Sequence, residues 1–136
     1  MRLAKVVLSV CSKFCTLWQR NTSLHAPMSG ASPDGFVGNE GLLEIKAPNT
    51  ATHIDTLLSE TVPTKYYTQM QFQLACTGRE WCDFVSFDNR LPPELQLFVK
   101  RVPRDETYIR LMEAEIVQFI AELDDKINKL MKVKNV

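Results

Sequence analysis

Neither sign of charge is in excess. Lys plus Arg number 16, Asp plus Glu number 16, and the formal net charge is zero. The basic coat that holds a protein nonspecifically along nucleic acid is therefore missing. An acidic site balanced by phosphate-binding residues elsewhere is compatible with the same total. No apolar run approaches the ~20 residues of a membrane-spanning helix. Met1 to Val10 opens on a basic residue and continues into Val6-Val7-Leu8, but that run is short and Lys13 follows it. No small-residue cleavage site appears, so it does not read as a signal peptide. The expectation is a cytoplasmic protein without a membrane partner. Cysteines are few: Cys11, Cys15, Cys76 and Cys82. No pair has the C-x2-C spacing of a zinc site. Cys11 and Cys15 lie four apart, as on one face of a helix, and all four are expected as reduced thiols. Acidic residues are absent from the whole stretch before Asp34.

What is present suffices for one folded domain. The chain has 136 residues, 45% of them hydrophobic, enough for a core. Leu3, Val6, Val7, Val10, Phe14, Leu17 and Trp18 recur at helical spacing. Residues 1–23 thus read as an atypical segment, either a short amphipathic helix or poorly ordered. Two prolines and two glycines make 24–35 loop and turn. Phe36 and Val37 end a strand, Gly38-Asn39-Glu40-Gly41 is a turn, and Leu42 to Ala47 alternates as a second strand. Residues 49–62 read as loop with a short helix. Thr64 to Thr77 is a helix capped by Thr64 and stopped at Gly78. Cys82–Asp88 and Leu95–Val102 are strands around an Asn89-to-Pro93 loop. A long amphipathic helix over 104–132 presents Tyr108, Met112, Ile116, Phe119, Ile120, Leu123, Ile127 and Leu130 on one stripe, expected to cover a sheet face. The class is α/β, with 24–136 forming the core domain.

Chemistry concentrates at Ser32-Pro33-Asp34-Gly35 and at Glu44-Ile45-Lys46, ten positions after Asp34. Phosphodiester hydrolysis needs a hard divalent cation held by carboxylates and water, an activated nucleophile and stabilisation of the leaving oxygen. Asp34 and Glu44 can supply the carboxylates. Positions 44 and 46 share a strand face, because side chains alternate with period two. The Lys46 ammonium would then stand beside the cation, where it can orient or help deprotonate the attacking water and offset phosphate charge. Ile45 would point the other way, into the core, leaving its backbone carbonyl as a further ligand. A turn SPDG or a strand ExK alone is commonplace. Their combination, with two charges on an otherwise buried-looking strand, is costly unless paired or metal-bound. His25 and His53 read as loop surface; His25 could lie near the motif and His53 could contact DNA.

The string GASPDGF…GLLEIKAP resembles the PD-(D/E)xK nucleases, in particular the phage lambda exonuclease and YqaJ-type viral recombinase branch. Tyr67-Thr68-Gln69-Met70-Gln71-Phe72 is similar to that family's Y-x-Q-x-Q helix. Phe87-Asp88-Asn89-Arg90 is similar to its aromatic-D-P-R segment, with Asn89 in place of proline. The resemblance covers about residues 24–130. It implies a restriction-endonuclease-like mixed sheet flanked by helices. It implies Mg²⁺ (with Mn²⁺ able to substitute) held by Asp34, Glu44 and the Ile45 carbonyl, Lys46 as catalytic lysine, and Gln69 assisting the site. Tyr67, Gln71 and Arg90 are weaker candidates for touching DNA. The implied activity is exonucleolytic digestion of duplex DNA, 5′ to 3′, with a single-strand annealing recombinase as partner and a homotrimeric ring. Relatives with an iron–sulfur cluster end in a group of cysteines, whereas none follows Cys82, so no cluster is expected. Family members also carry an upstream acidic residue and basic residues for the 5′ phosphate. Only about 23 residues precede the loop, and none is acidic. The N-terminal part thus reads as truncated and the chain as weakly active or inactive. The alternatives are an impaired prophage remnant that binds DNA or a partner, and an endonuclease on the same fold.

Overall fold

The computed structural model describes residues 30–134. The expectations for the segment up to residue 29, including Cys11, Cys15 and His25, lie outside the described residues. Strands β1 (Gly35–Val37) and β2 (Gly41–Lys46) form the anticipated hairpin. Its turn uses Gly38 at φ 56°, a left-handed conformation that glycine adopts without steric cost. Gly41 is needed for space, since a Cβ there would lie 2.2 Å from the Trp81 ring. Arg79 fastens the hairpin by donating to the carbonyls of Gly38 and Gly41 and stacking over Phe36.

Helix α1 runs over Thr50–Ser59, with the Asn49 side chain accepting from the Thr52 amide. Helix α2 spans Thr64–Thr77. Its N-cap is Pro63, not Thr64, whereas Gly78 ends it as anticipated, in the left-handed conformation with its N–H on the Leu74 carbonyl. Strand β3 is Trp81–Phe87, a 3-10 turn covers Pro93–Leu95, and β4 is Leu97–Pro103. Helix α3 spans Glu106–Lys134. The sheet order is β1-β2-β3-β4. β2 and β3 are parallel, with Glu44 opposite Phe84, and the other two pairings are antiparallel.

Two apolar clusters meet through α2. One joins α2 to the sheet: Leu42, Met70, Leu74, Cys82, Phe84 and Val102. The other joins α2 to α3: Phe72, Ala75, Ile109, Met112 and Ile116. The long helix therefore packs on α2, not on the sheet, and its stripe is only partly used. Leu123, Ile127 and Leu130 are 36%, 45% and 68% exposed. The cause is geometric: α2 is about 21 Å long and α3 about twice that at 1.5 Å per residue, so the outer turns pass beyond their support. A second correction concerns Ile45, which is 47% exposed. The helices cover one face of the sheet, and Ile45 lies on the other.

Candidate active site

Glu44 and Lys46 occupy the helix-covered face of β2, as the strand period requires. Glu44 is fully buried at 1% exposure. Burying a carboxylate costs several kcal/mol unless its lone pairs are satisfied. Here they are: Gln69 Nε2 donates to Oε1 at 2.6 Å, Gln73 Nε2 donates to Oε2 at 2.7 Å, and the Lys46 ammonium pairs with Oε1. Lys46 is partly exposed, so it borders solvent while Glu44 does not. The Tyr66 ring packs between Lys46 and Lys65, its centroid 5.1 Å and 4.6 Å from their ammonium nitrogens, and stacks on Phe84.

Asp34 immediately precedes β1. Its amide donates to the Leu43 carbonyl at 3.1 Å and its Oδ2 accepts from the Ile45 amide at 2.7 Å. These two bonds bracket Glu44 on β2 and tie both carboxylate-bearing segments to one strand. Among the described residues, no group of three or more His, Cys, Asp and Glu converges to hold a metal. The acidic donors at this place are Asp34 and Glu44. They are hard oxygen donors, and a buried, hydrogen-bonded carboxylate beside a second one suits a hard divalent cation.

The remaining candidates separate by helix geometry. Positions two apart on a helix point about 200° apart, whereas positions four apart share a face. Gln69 and Gln73 accordingly meet Glu44, while Tyr67 and Gln71 meet the start of α3. Gln71 is fully buried; its Nε2 donates to the Pro103 carbonyl and its Oε1 accepts from the Asp105 amide. Tyr67 donates to Asp105 Oδ2 at 3.1 Å and packs edge-on to Tyr108. Gln71 thus has no surface to offer DNA, and the Tyr67 hydroxyl is engaged within the fold. Arg90 forks onto Asp88 and donates to the Pro48 carbonyl. That pairing holds the Asp88 carboxyl well below the usual carboxylate range and pins the loop after β2. His53 is not at the surface: it is fully buried, with Nε2 against the Leu95 carbonyl and Nδ1 against Ser86 Oγ. A carbonyl only accepts, so Nε2 donates to Leu95. Sequence reasoning missed Gln73 and Tyr66. The Gln69-to-Gln73 spacing of four was the available signal for the first.

This geometry defines the class: a mixed α/β core presenting an Asp–Glu–Lys set from a hairpin. Residues 18–80 match the model of the YqaJ-like viral recombinase domain. Among solved structures, the chain is similar to an alkaline exonuclease (LHK-Exo) from Laribacter hongkongensis. Identity is 50% and the TM-score 0.78, over 79% of this chain and 56% of that one. The LHK-Exo complex with dAMP matches with the same identity and TM-score and is covered to 55%. The chain thus spans a little over half the length of these structures. No curated protein matches the sequence. These similarities bear out the resemblance read from the sequence.

Proposed function

We propose that the chain is the core of a metal-dependent DNA exonuclease that hydrolyses phosphodiester bonds of duplex DNA from the 5′ end. The observation that carries this reading is the buried Glu44 carboxylate, held by two amides and Lys46, with Asp34 tied to the adjacent residue. Asp34, Glu44 and the Ile45 carbonyl would hold Mg²⁺ or Mn²⁺. When bound, such an ion supplies Lewis-acid activation of phosphate and water. Lys46, as the ammonium paired with Glu44, orients the attacking water and offsets charge on the phosphate. Gln69 orients Glu44 by donating to Oε1. Residues 24–136 are the nuclease unit in this reading. A single-strand annealing protein and a homotrimer are the partners it implies, and the cytoplasm its place of action.

The test is release of nucleotides from linear duplex DNA in Mg²⁺. Wild-type chain should release them, Lys46→Ala should not, and supercoiled circles should survive. Cutting of the circles would instead make the chain an endonuclease, and release unaffected by Lys46→Ala would remove the assignment. A second reading, a domain that binds DNA or a protein partner without cleaving, is favoured by the finding that, among the described residues, no three His, Cys, Asp or Glu side chains cluster to hold a metal. It predicts no release by the wild type, together with Mn²⁺ binding that Asp34→Asn abolishes.

A further inference from the structure

We propose that Gln73 is a positioning residue for the cation-binding carboxylate of Glu44: it fixes Oε2 and turns its own Oε1 toward a water of the cation's shell. The inference rests on the nuclease reading above and adds to it a residue outside the Asp–Glu–Lys set. An ionised carboxylate offers about four lone-pair sites. Gln69 and Lys46 occupy Oε1, and Gln73 occupies one site on Oε2 at 2.7 Å. One site remains on Oε2, so the pair of glutamines selects which oxygen of Glu44 faces a cation.

The second observation is the other end of the same amide. Gln73 is 2% exposed, and its Oε1 is the buried side-chain acceptor without a hydrogen-bond partner among the described residues. Reversing the amide does not relieve this, because it would set an oxygen against the Glu44 carboxylate. The amide orientation is thus dictated by Glu44, and the leftover acceptor calls for a donor. A water bound to a hard cation is such a donor. Gln73 Nε2 also lies 3.5 Å from the Ser32 carbonyl, two residues before Asp34. Gln73 therefore abuts both segments that carry the carboxylates. Groups that orient a metal ligand in this way typically change metal affinity by 10–100-fold when removed.

The experiment is calorimetric titration of the full chain with Mn²⁺, paired with thermal unfolding of the metal-free protein. Gln73→Met keeps the volume and removes both polar atoms; Gln73→Asn keeps the amide but cannot reach. Both should weaken Mn²⁺ binding about tenfold or more with only a small change in Tm. Gln71→Met is the control, because Gln71 is equally buried on the opposite side of α2 and bonds Pro103 and Asp105, away from Glu44. It should lower Tm and leave Mn²⁺ affinity unchanged. If Gln73→Met does not fold, Gln73→Asn decides. Wild-type binding that Asp34→Asn abolishes, but that both Gln73 variants retain within twofold, would overturn the role of Gln73 and leave the nuclease reading standing. A wild-type chain that binds no Mn²⁺ would overturn both.

Discussion

Lys46 and Glu44 share one strand face and one contact, yet removing them should have different consequences. Glu44 is buried among donors; without it, Gln69 and Gln73 lose their shared acceptor. Lys46 borders solvent, so Lys46→Ala should leave the fold and Mn²⁺ binding near wild type while nucleotide release falls by two orders of magnitude or more, a typical loss for a group that offsets transition-state charge. Release at wild-type rate would contradict this. Cys82 offers an independent check on the buried side of β3. Burial, and then the negative charge of Glu44, pushes its thiol up to about 12. The folded state keeps the thiol neutral, while the unfolded chain ionises it near its ordinary value of 9.0. Stability from this group is complete below that pH and is lost as pH rises from there toward about 12. The urea midpoint should therefore drop between pH 8 and pH 10 more steeply in the wild type than in Cys82→Ala.

At the scale of elements, α3 tests how far a periodic pattern can be taken. Ile116 is 5% exposed in the α2–α3 cluster, whereas Leu130 is 68% exposed on the same stripe. Ile116→Ala should cost about 2–5 kcal/mol in denaturant unfolding, and Leu130→Ala within about 0.5 kcal/mol. Equal costs would mean that the outer turns are packed after all. The sequence stripe continues unbroken through both positions, because periodicity states which side is apolar and not where support ends. The same limit explains Ile45: alternation identified its face correctly, but nothing local says that the helices cover only the other one. It also explains Gln73 and Gln71. Both are glutamines on one helix, and only the placement of α2 against Glu44 on one side and Asp105 on the other separates a site residue from a structural one. The hairpin, α2, the start of α3 and the shared face of Glu44 and Lys46 were legible because each follows from a local rule of period or capping. His53 was not, since its partners Ser86 and Leu95 come from β3 and the 3-10 turn, more than 30 residues away.

The described residues form a four-stranded mixed sheet with helices on one face, and the proposed site lies where α2 crosses the hairpin. No helix among the described residues is long and apolar enough to cross a membrane. The central claim is that Asp34 and Glu44 hold one divalent cation beside Lys46. The most direct measurement is a crystal of the full chain soaked in Mn²⁺, with anomalous scattering to locate the ion. The account predicts one Mn²⁺ with carboxylate oxygens of both Asp34 and Glu44 at roughly 2.0–2.6 Å, lost when Asp34 is replaced by Asn. Mn²⁺ bound elsewhere, or absent from this place in a crystal saturated with the ion, would contradict it.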